Sequence, residues 1–234
     1  MPGTVYVALH MIFGAVTMGL FWATLAQVKG SPRHVRLGRL YVWSWAPILA
    51  SVAGILFARA GVVYEVDDVV MFIYLSICVL AVGGSAWLAI RLRHDLEGFR
   101  GAWFRILGAA ITMLGLFLLV VGIAQGKPLP IAFSSVGLIY GPPMLRFAFM
   151  RAPVHPNWWL IWHLNGMCFL FNAIHGTFAA VAWRALVDPE AGLMLNVTTH
   201  FLTLAIALGL RLYFGARYDA PLRLSAPAPA AARA

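Results

Sequence analysis

An all-α polytopic membrane bundle with seven transmembrane helices is the fold class that the sequence predicts, and three observations carry it. Hydrophobic side chains make up 62% of the 234 residues and charged ones 11%, where an average soluble protein carries about 25% charged residues. Seven apolar runs have the length of a bilayer crossing, roughly 18 residues or more. Lys and Arg gather in alternate loops between those runs.

The first run, Val5–Val28, has no basic residues before it, so it is read as a helix of the mature protein and not as a signal peptide. Leu40–Ala58 follows the basic stretch PRHVRLGR. Val69–Ile90 opens behind Asp67 and Asp68, and Ile106–Ala124 behind Arg105. Leu129–Phe149 contains Ser134, Ser135 and Tyr140-Gly141-Pro142-Pro143, which predict an interrupted helix kinked at Pro142. Trp158–Trp183 and Leu193–Phe214 complete the set. These runs leave no room for a soluble domain, so residues 1–217 are expected to form one membrane domain. The Ala- and Pro-rich residues 218–234 are expected to be a disordered tail.

The formal net charge of +9 would suit a nucleic-acid partner, but its distribution argues against one. Lys29, Arg33, Arg36 and Arg39 lie between the first two runs, and Arg91, Arg93, Arg100 and Arg105 between the third and fourth. Arg146 and Arg151 lie between the fifth and sixth, and Arg211, Arg217 and Arg223 towards the end. The other loops hold Arg59, Lys127 and Arg184 among acidic residues. The positive-inside rule then predicts the N-terminus outside and the C-terminus inside a bacterial inner membrane.

Polar residues inside the apolar runs are candidates for function, because they are costly in a bilayer and face the bundle interior or a cavity. Asn196, Thr199, His200 and Thr203 share one helical face, as do Asn165, Cys168, Asn172 and His175, and His10 shares a face with Gly14 and Thr17. Counted from the outer helix ends, His10, His200 and His175 lie about 8, 11 and 13 Å deep. Similar depth lets the three meet in the outer leaflet. Imidazole ligates zinc, copper and iron, so the expected site is a haem b or a transition metal held by His10, His175 and His200, with Phe13, Phe171 and Trp183 as walls. The alternative is three separate histidines bonded across helices. His34 and His163 form a second candidate pair. His163 and His175 are 12 residues apart and point about 120° away from each other, which disfavours two stacked haems on that helix.

The cytoplasmic helix starts carry Arg or His with Trp or Tyr, either as interfacial anchors or as an anion site helped by helix dipoles. Arg39 and Arg105, next to the apolar runs, are the expected anion holders. Residues 10–125 resemble an uncharacterised bacterial membrane-protein family with an early His and a His-Arg-x-x-Gly-Arg-x-Tyr motif. The residues carrying the likeness are His10, His34-Val35-Arg36-Leu37-Gly38-Arg39-Leu40-Tyr41, and Phe99-Arg100-Gly101-Ala102-Trp103-Phe104-Arg105. Phe99 stands where that family has His. The resemblance implies a multi-helix membrane fold and no settled activity.

No carboxylate lies deep in any run, which disfavours proton- or sodium-coupled transport and a hydrolytic zinc site needing a general base. The expected function is therefore a membrane redox protein that transfers electrons, with quinone as a candidate partner. Two alternatives stand beside it: a cofactor-free binding or transport protein for a small apolar or anionic molecule, and an accessory subunit packed against another membrane protein. Cys78 and Cys168 read as packed free thiols.

Overall fold

The computed structural model describes residues 4–59, 62 and 64–226. Among them the chain is helical throughout, in the order α1 Thr4–Leu25, α2 Pro32–Trp43, α3 Trp45–Arg59, α4 Val66–Arg91, α5 Leu96–Phe99, α6 Ala102–Gln125, α7 Pro128–Ala148, α8 Trp158–Leu186 and α9 Met194–Arg217. Six stretches are long and apolar enough to cross a membrane: α1, α2 with α3, α4, α5 with α6, α8 and α9. The predicted span Leu129–Phe149 is present as the helix α7, but α7 is not among those six. Its two serines, its tyrosine and its prolines dilute the apolar character that its length would otherwise supply.

By their contacts the described residues group into two compact units, those within 1–76 and 171–203 and those within 77–170 and 204–234. In the first, α1 is tied to the α2–α3 pair at three levels. His10 Nδ1 lies 3.0 Å from Ser51 Oγ, the Thr17 hydroxyl donates to Ser44 Oγ at 2.8 Å, and His34 Nδ1 donates to the Thr24 carbonyl at 3.1 Å. The basic stretch is the first part of α2. Ser31 caps it by accepting from the His34 amide, and Pro32 takes the first turn, where its missing N–H costs nothing. The break at Ser44 also has a local cause. Pro47 has no N–H to offer the Trp43 carbonyl, and the Ser44 hydroxyl turns back onto the Tyr41 carbonyl at 2.7 Å.

In the second unit, α6 and α7 form a close hairpin. The buried face of α6 alternates large and small residues: Phe104, Gly108, Ile111, Gly115, Leu118 and Gly122. Small residues at this spacing let backbones approach. A Cβ on Gly141 would strike Thr112 Oγ1 and come within 2.9 Å of the Gly108 carbonyl. Gly126, at φ 65°, ends α6, and Pro128 opens α7. The interruption expected in α7 is absent, because the helix runs on through Pro142 and Pro143. The two prolines forgo only the bonds to the Leu138 and Ile139 carbonyls, and contact with α6 holds the helix across the gap.

The tail also departs from expectation over its first part. Arg211 donates to the carbonyls of Ala220 at 2.9 Å and Pro221 at 3.0 Å. The His155 amide donates to the Leu224 carbonyl, Ala226 to the Pro153 carbonyl, and Asn157 to the Asp219 carbonyl. Residues 218–226 are therefore docked on the 153–157 loop. The rest of the predicted tail, residues 227–234, lies outside the described residues.

Candidate functional site

Each predicted site residue has a definite place, and the histidines are used one by one. His175 donates from Nδ1 to the Phe171 carbonyl of its own helix at 2.9 Å. Its Nε2 accepts from the Trp22 indole N–H at 2.8 Å. A carbonyl only accepts, so the first bond fixes the proton on Nδ1 and leaves Nε2 as the acceptor that Trp22 needs. The ring stacks on Phe171 with centroids 4.0 Å apart, and Phe21 and Trp22 meet it edge-on at 5.6 Å. Phe171 is thus the wall residue that the sequence suggested, although it walls a hydrogen-bonded imidazole.

His200 donates from Nδ1 to the Asn196 carbonyl at 2.7 Å, and its Nε2 lies 3.4 Å from Thr177 Oγ1. Its ring lies against Gly176, where an added Cβ would come within 2.8 Å of it. Neighbouring residues on a helix point about 100° apart, so His175 faces α1 while Gly176 faces α9. His10 is bound to Ser51 on α3.

The three rings therefore do not meet as expected. His175 is level with Trp22, which lies 12 residues beyond His10 along α1, a rise of about 18 Å. Depth counted from helix ends misleads here because α8 has 29 residues and α1 has 22. Among the described residues no three His, Cys, Asp or Glu side chains are grouped to hold a metal ion. The donor set as arranged does not fit the predicted three-histidine centre. A bis-histidine haem that used His175 would need it to give up Trp22.

Of the second pair, His34 lies in the first unit, bound to the end of α1. His163 lies in the second, donating from Nδ1 to the Ala86 carbonyl at 3.1 Å. Arg39 is an exposed residue of the first unit. Arg105 is an exposed residue of the second, donating from Nε to the Arg100 carbonyl at 3.0 Å, with its guanidinium 5.2 Å from the Phe149 ring.

The asparagines of the polar stripes bond between segments, while Thr199 bonds within its own helix. Asn172 accepts from Thr203 at 2.7 Å, Asn196 from Arg184 at 2.6 Å, and Asn165 from Arg211 at 2.5 Å. Arg211 is buried at 4% exposure, and all three of its guanidinium nitrogens are bonded within the chain.

Arg100, which sequence reasoning placed among the loop charges, is different. It is 7% exposed. Its Nη1 reaches the Met150 carbonyl at 3.4 Å, its guanidinium lies 4.4 Å from the Phe147 ring centre, and its Nε and Nη2 are buried with no hydrogen-bond partner. Phe147 in turn belongs to a continuous aromatic cluster with Phe99, Phe104, Trp158 and Trp162. The available signal was its place between Phe99 and Gly101, two residues ahead of the start of α6. No protein-family model, curated protein or solved structure matches the chain, so the resemblance over residues 10–125 rests on its motifs alone.

Proposed function

We propose that the chain is a multi-pass membrane protein that binds a small anionic molecule through its own side chains, without haem or metal. It crosses the membrane seven times, with the N-terminus outside and the C-terminus inside. The observation that carries the cofactor-free reading is His175, whose two nitrogens are both engaged within the chain. Imidazole ligates a metal through an unprotonated nitrogen, and here that nitrogen holds the Trp22 N–H. The stripe asparagines point the same way, since Asn165, Asn172 and Asn196 each join two segments, which is the common role of such groups in membranes. The anionic character of the ligand is supported by the surplus of cations ahead of and at the start of α6, where Arg91, Arg93, Arg100 and Arg105 face only Asp95 and Glu97 in the sequence.

Seven crossings are supported by α7. Its 21 residues rise about 32 Å, close to the thickness of a hydrocarbon core, about 30 Å. Its basic end at Arg146 continues the alternation of charged loops.

The test is the absorption spectrum and metal content of the protein purified in mild detergent from cells supplied with haem precursor and trace metals. The expected result is no Soret band and far less than one metal ion per chain. A Soret band or stoichiometric metal that disappears in His175→Ala would overturn the proposal and restore the redox reading, with quinone as the candidate electron partner.

A further inference from the structure

Resting on the reading of a cofactor-free, anion-binding membrane protein, the geometry points to Arg100 as the centre of a phosphate-class oxyanion site, completed by Arg105 and the N-terminus of α6.

Three observations converge on it. The first is the state of Arg100 itself. A guanidinium cannot shed its proton in a protein, so this cation remains charged at 7% exposure. A buried charge without a partner is strongly unfavourable. The Phe147 face and a 3.4 Å contact to the Met150 carbonyl offset only part of that cost. The acidic group nearest in its electrostatics is Glu97, which is exposed on α5.

The second observation is which nitrogens are orphaned. Nε and Nη2 form one edge of the guanidinium, and that edge makes paired, parallel bonds to two oxygens of a carboxylate or phosphate. Nη1, on the other edge, is the one the chain uses. The unpartnered edge is therefore complete and shaped for two oxygens of one anion. The Nη1 bond is at the outer limit of hydrogen-bond length, so the Met150 carbonyl holds that edge only weakly.

The third observation is the surroundings. Arg105 lies along the Arg100 backbone through its Nε and adds a second cation at the rim. α6, 24 residues long, begins at Ala102 behind Gly101, with no side chain capping its first N–H groups. Free amides and the helix dipole both favour an anion there. A phosphate-class oxyanion has oxygens left for Arg105 and the helix start after two are taken by the Arg100 edge, whereas a carboxylate has only the two. The site also stands at the start of the membrane-crossing stretch Leu96–Gln125. That is the level of lipid phosphates, so the oxyanion can belong to a lipid headgroup or to a water-soluble phosphate.

The experiment uses the full chain in dodecyl maltoside with two probes. Inorganic phosphate is titrated and followed by the melting temperature, and dioleoyl phosphatidylglycerol is titrated and followed by native mass spectrometry. Wild type is compared with Arg100→Lys, which keeps the charge and loses the fork, and with Arg93→Lys, an exposed control. The expected result is saturable binding of at least one probe, weakened tenfold or more in Arg100→Lys and unchanged in Arg93→Lys. Response to phosphate in lipid-free micelles identifies a soluble ligand, and response to the lipid alone identifies a headgroup. Binding of neither probe, or binding that Arg100→Lys leaves intact, overturns the assignment. Either failure is distinct from failure of the cofactor-free reading, which a Soret band alone would signal. If Arg100→Lys is poorly folded, Arg105→Gln replaces it and is expected to weaken the same response several-fold. An unchanged response there overturns the proposal.

Discussion

The imidazole of His175 has one proton and two nitrogens, and the chain uses all of them. Replacing it by Phe would keep the stack on Phe171 and strand the Trp22 N–H facing lipid. Hydrogen bonds between membrane helices average about 0.6 kcal/mol and reach about 1.7, so His175→Phe is expected to cost about 1 kcal/mol in an unfolding equilibrium in mixed micelles. A cost several times larger would show that the ring does more than join α8 to α1. That His175 faces inward was legible from the stripe it shares with Asn172, Cys168 and Asn165. Its partner was not, because periodicity gives the face of a helix and says nothing of its vertical register against a neighbour. Arg100 escaped notice for a related reason. A loop arginine and a buried one read alike until the Phe147 ring is seen against its guanidinium.

The helices themselves were largely legible, because apolar length and flanking charge specify them. Their ends were less so. Ser31 and Pro32 start α2 well before the apolar run begins, and the α2–α3 break depends on Ser44 and Pro47 together. The α6–α7 hairpin rests on close backbone approach, so Gly141→Ala is expected to destabilise it by about 1–3 kcal/mol, the usual range for overpacking. The measurement is again the unfolding equilibrium, and a neutral result would mean that the hairpin is looser than its glycines imply. The C-terminal strap makes a different prediction. Gly215 allows the Arg211 guanidinium to reach the Ala220 carbonyl, and a Cβ there would collide with Nη1. Arg211→Leu removes three donors at once. Trypsin should then cut after Arg223 at least several-fold faster than in wild type, read by mass spectrometry as the fragment ending at Arg223. Equal rates would show that the strap is held without Arg211.

At the scale of the molecule, composition alone made the membrane class legible, while the depth of each histidine was not, since it depends on how far each helix overshoots its neighbours. The orientation is open to a direct check. Phosphatase fused after Ala234 should be inactive and green fluorescent protein fused there should fluoresce, whereas the reverse pattern would place the C-terminus outside. The central claim, that intramembrane imidazoles serve the chain and not a cofactor, is tested most directly by long-range ¹H–¹⁵N correlation spectra of the protein labelled at histidine, with His175→Phe assigning the signal. The prediction is a neutral His175 ring with the proton on Nδ1 and an Nε2 resonance typical of a hydrogen-bond acceptor. A proton on Nε2, or an Nε2 shifted or broadened by a bound metal, would contradict it.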